Sequence, residues 1–151
     1  DITVNDGSVV FSESSILEFL LSTSLTISKG NFEMHNSAKF FAGDTIVDII
    51  DGNLRLFDQV TLDFDSMNIL VAGSVEFNGE SALQASQSDI DIAEGSFSTS
   101  GDASLQLISG TVIVNGGNFT THDAAKLNFT STALQVQGRV ILNGAGSGYF
   151  E

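Results

Sequence analysis

Residues 47–56 read VDIIDGNLRL and residues 112–121 read VIVNGGNFTT. Each stretch has two apolar residues that alternate with others, then a glycine three positions later, then Asn, and then a second alternating pair. Alternation with period two is typical of a strand that buries one face, and Gly-Asn is typical of a tight turn. Both stretches therefore predict two short strands joined by a glycine corner.

The glycine corner recurs along the whole chain at intervals of 21 to 23 residues. Its seven copies are Gly7, Gly30, Gly52, Gly73, Gly95, Gly117 and Gly138. The constant phase predicts a corner where φ is positive or the backbone turns sharply. In several copies Asn follows the glycine, and we expect Asn31, Asn53 and Asn118 to add hydrogen bonds along this corner. A repeat of about 22 residues indicates a solenoid.

A third apolar segment lies ten to twelve residues after each glycine, so each repeat is predicted to hold three short strands. Because a unit this small buries too little area alone, stacked copies must share one core. Phe19 is also expected in the core, because it stands at the same distance from its glycine as the other apolar residues of the third strand. The predicted core ladder comprises Phe32, Phe97 and Phe119 in the second strand, and Leu62, Leu83, Leu105, Leu127, Phe64 and Phe129 in the third.

The fold class predicted from this repeat is all-β: a single-stranded parallel β-helix, right-handed by the preference of parallel crossovers, with seven turns of about 22 residues and three short strands per turn. Residues 1–151 form one β-solenoid domain, with turns at approximately 1–24, 25–46, 47–68, 69–89, 90–110, 111–133 and 134–151. The absence of proline agrees with strands whose N–H groups all donate to the next turn. An antiparallel sandwich is the alternative, but it gives no reason for a glycine in constant phase.

Composition excludes several classes of function. The net charge of -14 repels nucleic acid and anionic lipid surfaces. The absence of cysteine excludes disulfides and thiolate chemistry. The longest apolar stretch, Ile16 to Leu21, is short and contains Glu18, so no membrane insertion is expected.

The repeat resembles the right-handed parallel β-helix superfamily, on the pattern apolar-x-apolar-x-x-Gly-Asn/Ser-apolar over the entire chain. That superfamily includes pectate-lyase-like enzymes, phage tailspikes, autotransporter passenger domains and filamentous adhesins. The resemblance implies architecture and, with the handedness of parallel crossovers, a right-handed coil. It does not imply one activity, because this fold supports both polysaccharide enzymes and inert stalks.

Carbohydrate cleavage by a β-helix requires outward carboxylates beside a basic partner. Asp63 and Asp65 alternate with buried positions and are the best candidates, but their columns hold Phe41 and Gly43 in the preceding turn and polar residues in the next. We expect no cluster of outward carboxylates with a basic partner, no catalytic residue and no enzyme activity.

No cofactor or metal ligand is predicted either. His35 and His122 occupy the same repeat position but lie four turns apart, so they cannot share a metal. Asp44, Asp48 and Asp51 form the densest acidic run, where calcium at a corner is the remaining possibility, although the ordered loop of a dedicated calcium site is missing. Asn118 and Asn128 stand in glycosylation tripeptides, which matter only in a secretory pathway.

The sequence thus favours a structural or adhesive extracellular or cell-surface β-solenoid, a rigid stalk or a filament-forming subunit. The alternative is a carbohydrate-binding or polysaccharide-degrading β-helix. Neither end of the sequence contains a cap, so we expect self-association end to end or continuation into a longer solenoid. A glycan or cell-surface partner fits both hypotheses. Leu70, Ile113 and Phe57 are predicted to be exposed and to mark a lateral contact.

Overall fold

The computed structural model of the chain describes residues 1–19 and 22–150, without the side chains at positions 147 and 150. Leu20 and Leu21, which end the apolar stretch considered above, lie outside the described residues. The described residues form strands and turns and contain no helix. Three seven-stranded parallel sheets wind into a solenoid of seven turns, which confirms the predicted all-β class, the turn count and three strands per turn.

The strands are numbered β1 to β21 in chain order, and every third strand belongs to the same sheet. Sheet A contains β1 (Ile2–Val4), β4 (Thr23–Ile27), β7 (Thr45–Ile49), β10 (Asn68–Val71), β13 (Asp89–Ile92), β16 (Thr111–Val114) and β19 (Ala133–Val136). Sheet B contains β2 (Val9–Phe11), β5 (Phe32–Met34), β8 (Leu54–Leu56), β11 (Val75–Phe77), β14 (Phe97–Thr99), β17 (Phe119–Thr121) and β20 (Val140–Leu142). Sheet C contains β3 (Ile16–Phe19), β6 (Lys39–Gly43), β9 (Thr61–Asp65), β12 (Ala82–Ser86), β15 (Ser104–Ile108), β18 (Lys126–Thr130) and β21 (Ser147–Phe150).

Each strand pairs in register with its equivalent in the neighbouring turns. In sheet A, for example, Ile69 pairs with Val47 on one side and Ile90 on the other. In-register parallel pairing places like positions about 4.8 Å apart along the axis. A pattern repeated in the sequence therefore becomes a continuous column of side chains in the structure.

The inward columns form one hydrophobic core along the solenoid. All nine residues of the predicted core ladder are buried, and so is Phe19. Phe40 and Phe77 fill the same interior. The core is continuous because alternate residues of all three sheets point toward the axis.

The predicted positive φ holds at only the first three of the seven corner glycines. Gly30 has φ of +126°, as the positive-φ expectation requires, and Gly7 and Gly52 are also positive. Gly73 and the three later corner glycines do not have positive φ. A Cβ added to Gly73 would lie only 2.5 Å from Asn53 Oδ1 and closer still to the Gly52 carbonyl oxygen. Close approach of the preceding turn, rather than positive φ, excludes a side chain there.

At the other two corners, the residues in the left-handed backbone conformation are mostly not glycine. At the corner between sheets B and C, φ is positive at Glu13, Asn36, Asp58, Gly79, Gly101, Asp123 and Gly144. At the corner between sheets C and A, φ is positive at Ser22, Asp44, Ser66, Gln87, Ser109 and Ser131. Asp and Asn tolerate this region better than most residues, and a single glycine column therefore marks only one of the three corners.

A ladder of side-chain hydrogen bonds follows the glycine corner. Asn31 Oδ1 accepts a hydrogen bond from the Asn53 amide nitrogen at 3.0 Å, and Asn53 Oδ1 accepts one from the Ser74 amide nitrogen at 2.8 Å. Ser96 Oγ accepts from the Asn118 amide nitrogen, and Asn118 Oδ1 accepts from that of Arg139. The expected contribution of the three Asn residues is confirmed. The ladder satisfies amides that would otherwise lack partners at the bend.

Candidate functional surfaces

The solenoid presents three outer faces, one for each sheet. In the strands of the central turns, buried and outward residues alternate, so each outer face is a set of straight columns with one residue per turn. Sites on such a surface arise where neighbouring turns place compatible side chains in one column.

Asp63 and Asp65 both point outward from sheet C and are exposed. Asp63 pairs in register with Gln84, and Asp65 accepts a hydrogen bond of 2.6 Å from Ser86 Oγ. In the preceding turn their columns hold Phe41 and Gly43. Both residues and their neighbours in the column therefore lie where the sequence predicted. Neither carboxylate forms an ion pair within residues 1–19 and 22–150.

The expectation that outward carboxylates lack a basic partner is wrong for sheet B. Its outward column holds Glu33, Arg55 and Glu76 in three consecutive turns. Arg55 Nη1 lies 3.6 Å from Glu33 Oε1, and Arg55 Nε lies 3.7 Å from Glu76 Oε2. In the sequence these three charged residues stand three positions after Gly30, Gly52 and Gly73, between the two apolar positions that identified the strand.

The surroundings of this sheet B ion cluster hold its carboxylates in place. Asn31 Nδ2 donates a 2.9 Å hydrogen bond to Glu33 Oε1, and His35 Nε2 lies 3.6 Å from Glu33 Oε2. The His35 ring stacks on Phe57, with ring centroids 4.8 Å apart and planes at 10°. Glu33 is therefore surrounded by donors and shares the Arg55 charge with Glu76. Such an arrangement balances part of the negative charge along a column and positions a guanidinium, with Arg55 within 3.7 Å of both carboxylates.

The two histidines do not form a common site. His35 is half-buried against Phe57, whereas His122 is exposed at the same corner four turns away, roughly 19 Å along the axis. This agrees with the sequence analysis, except that His35 is part of the sheet B ion cluster and not a plain bend residue.

The acidic run of residues 44–51 does not converge on one point. Asp44 and Asp51 lie at opposite ends of β7, and Asp48 points outward between them. Asp44 Oδ2 accepts a 2.6 Å hydrogen bond from Ser22 Oγ. Within the described part of the chain, no three His, Asp or Glu side chains are arranged to hold a metal ion.

Between the first and last turns, most of the exposed large apolar residues lie on or beside sheet A, but not entirely where the sequence predicted. Leu70 is exposed as expected, whereas Ile113 and Phe57 are half-buried. Ile46 and Ile50, which the sequence analysis did not single out, are exposed beside Leu70. The apolar patch therefore lies on turns three and four of sheet A and does not extend to Phe57 on sheet B.

Sheet C carries a shallow polar depression of about 210 Å³. Its lining includes Asp63, Gln84 and Gln106, which follow one another in a single outward column, with Phe41 in the turn before Asp63. The two Gln amides form no side-chain hydrogen bonds with other described residues. Their donors and acceptors face solvent.

The two glycosylation tripeptides occupy different environments. Asn118 is half-buried, and its side chain belongs to the hydrogen-bond ladder of the glycine corner. Asn128 is exposed on the outer face of sheet C. Of the two, only Asn128 presents a side chain that a modifying enzyme could reach without opening the ladder.

Comparison with protein-family models, curated proteins and solved structures found no match for this chain. The resemblance to adhesins and autotransporter passenger domains therefore rests on the repeat pattern alone. The described residues contain no helix long and apolar enough to span a membrane.

Proposed function

We propose that this chain is a structural or adhesive β-solenoid of the extracellular space or cell surface, acting as a rigid stalk or filament-forming subunit without catalysis. One observation carries the proposal: three parallel sheets run through all seven turns in unbroken register. Each turn is held to the next by backbone hydrogen bonds on three sides. Bending the rod requires stretching one of these ladders, so the architecture favours a mechanical role.

Filament formation is supported by the terminal turns. Ile2, Val140 and Leu142 belong to columns that are buried in the central turns, yet they are between 43% and 52% exposed. Apolar edges of this kind are stabilised when a further turn covers them. In our proposal that turn comes from a second copy, which gives an open head-to-tail contact, or from continuation of the same solenoid.

Electron microscopy and analytical ultracentrifugation of the purified 151-residue chain test the filament. We expect rods that lengthen with protein concentration in units of about 33 Å, seven turns at about 4.8 Å each. Leu142→Lys should abolish lengthening by placing a charge at the edge. Ser98→Lys, on the outer face of a central turn, is the matched control and should not. Monomers at all concentrations would exclude the filament form and leave the stalk.

The absence of catalysis is tested separately, because it does not depend on assembly. The chain is incubated with a panel of neutral and uronic-acid polysaccharides, and release of reducing ends or unsaturated products is measured. We expect no turnover. Turnover abolished by Arg55→Ala but not by Asp63→Asn would contradict the proposal and assign chemistry to the sheet B ion cluster.

A second candidate function is carbohydrate binding on sheet C. It is favoured by the column of Phe41, Asp63, Gln84 and Gln106, which combines an aromatic ring with free amides on a flat surface. Sugar hydroxyls pair with planar amides and carboxylates, and sugar rings pack on aromatic faces. Glycan-array binding that is lost in Gln84→Ala and retained in Gln59→Ala, at a corner, supports this candidate.

A further inference from the structure

The outer face of sheet A combines apolar and acidic side chains in a regular order. Its central column reads Asp48, Leu70, Asp91 and Ile113 in four consecutive turns, so carboxylates and aliphatic groups alternate along the axis. Beside Asp48 in turn three lie Ile46 and Ile50. We call this surface, residues 46, 48, 50, 70 and 91, the acidic–apolar face.

The apolar part of the acidic–apolar face consists of three exposed aliphatic side chains around Asp48. Ile46, Ile50 and Leu70 are between 41% and 54% exposed and lie on adjacent turns around one carboxylate. Three large aliphatic side chains exposed together differ from the scattered apolar residues that any surface carries. Their burial by a partner is favourable.

The charge on this face is of one sign. The seven strands of sheet A contain no Lys or Arg. The carboxylates of Asp48 and Asp89 have no hydrogen-bond or ion-pair partner among the described residues, and Asp91 Oδ1 accepts only a 3.2 Å hydrogen bond from Asn115 Nδ2. The partner that complements this face is therefore cationic as well as apolar.

These features exclude three simpler occupants. A second copy of the chain brings a net charge of -14 and has few cations to offer. Anionic lipid surfaces are repelled by the carboxylates, and a small inorganic cation does not cover the aliphatic groups. A polypeptide segment supplies both charge and apolar area.

The spacing of the carboxylates specifies the segment further. Asp48 and Asp91 lie two turns apart, which is about 9.6 Å. Three residues of a polyproline II helix span about 9.3 Å, whereas two residues of a strand span about 6.7 Å. Every third residue of a polyproline II helix lies on the same side, so a segment with a cation at every third residue matches the column. Its intervening apolar side chains project to the two sides, toward Ile46 and Ile50, and Leu70 packs against the aliphatic stems of the cations.

We propose that the acidic–apolar face binds an extended, polyproline-type polypeptide that carries Lys or Arg at every third residue, aligned along the solenoid axis. This inference names a partner for the adhesive role but does not require filaments, since the face lies on the side of the solenoid and not at its ends. A chain that stays monomeric can still bind the segment.

Two synthetic peptides of identical composition, KPLKPLKPL and KKKPLPLPL, test the register by fluorescence anisotropy on the full chain. We expect the periodic peptide to bind roughly fivefold or more tightly than the clustered one and to weaken as salt increases. Equal affinities, or no binding of either peptide at low salt, would overturn the proposal without any variant having to fold.

Variants then locate the contact. Asp48→Asn and Asp91→Asn should each weaken binding of KPLKPLKPL about tenfold at low salt, because each removes one charge-assisted contact. Leu70→Ser should weaken it severalfold at all salt concentrations. Asp63→Asn removes the same charge from sheet C and should change affinity by less than about twofold. An equal loss in Asp63→Asn, or none in Leu70→Ser, would contradict a site on sheet A.

Discussion

Phe97 and Phe119 stack face to face, with ring centroids 4.8 Å apart and planes within 6° of parallel. The residues pair in register in neighbouring strands of sheet B, so their separation is the spacing of the strands themselves. Identical side chains in one column therefore stack without adjusting the backbone. The Phe129 ring meets Phe119 edge-on from sheet C and closes the interior on the other side.

The first prediction concerns this stack. Phe119→Ala should lower the free energy of unfolding by about 3 to 5 kcal/mol, because it leaves a cavity against two aromatic rings. Denaturant unfolding measures the change. Phe57→Ala, which removes a half-buried ring from an outer corner, is the control and should cost about 1 kcal/mol. A loss below about 1 kcal/mol for Phe119→Ala would count against its burial.

The second prediction concerns a buried hydroxyl. Thr99 faces the core of sheet B, is 1% exposed, and its Oγ1 has no hydrogen-bond partner. Thr99→Val keeps the shape and removes the unpaired hydroxyl, so we expect thermal unfolding at a higher temperature, equivalent to about 1 kcal/mol. Thr45 is equally buried, but its Oγ1 donates to the Gly43 carbonyl oxygen at 2.8 Å. Thr45→Val should destabilise, and stabilisation of both variants would refute this account.

The third prediction tests the hydrogen-bond ladder at the glycine corner. Asn53→Ala removes the acceptor of the Ser74 amide and should cost about 1 to 3 kcal/mol. Asn53→Ser should recover most of the loss, since Ser74 Oγ serves the same purpose for Ser96 one turn later. Chemical denaturation of the two variants provides the comparison. Equal stability of the Ala and Ser variants would mean that the ladder contributes little.

The fourth prediction compares a glycine that has no space for a side chain with one that has. Gly73→Ala places a Cβ against the Gly52 carbonyl and Asn53 Oδ1, so we expect a loss of about 1 to 3 kcal/mol. At Gly43 the nearest atom to an added Cβ is the Asp65 carbonyl oxygen at 3.8 Å. Gly43→Ala should be tolerated or slightly stabilising. If both variants unfold at the same denaturant concentration, close approach is not the reason for the corner glycine.

The repeat made the inward half of the structure predictable. An inward position is recognised by its apolar character and its constant distance from the glycine, as for Phe64 and Leu105, because the strand period is two and the core accepts only apolar side chains. The left-handed corners were missed because Glu13 and Asp58 share a backbone conformation rather than a residue type.

The outward half was predictable only in part. Asp63 and Asp65 were placed correctly by alternation with their buried neighbours. The Glu33–Arg55–Glu76 column was not recognised, because outward positions are free to vary and carry no periodic signal. The exposure of Ile46 and Ile50 also depends on turns above and below that do not cover them.

The sequence by itself determined the all-β solenoid, its three strands per turn and its apolar interior, because strand alternation and the 22-residue repeat are properties of a single chain read in order. The tertiary structure alone decided which side chains of different turns meet, such as Arg55 with both carboxylates and Leu70 between Asp48 and Asp91. It also explains the glycine at position 73, where the preceding turn leaves no space for a side chain. The physical reason is that corners add or omit a residue from turn to turn, so contacts between turns follow from the in-register pairing of strands and not from separation along the chain.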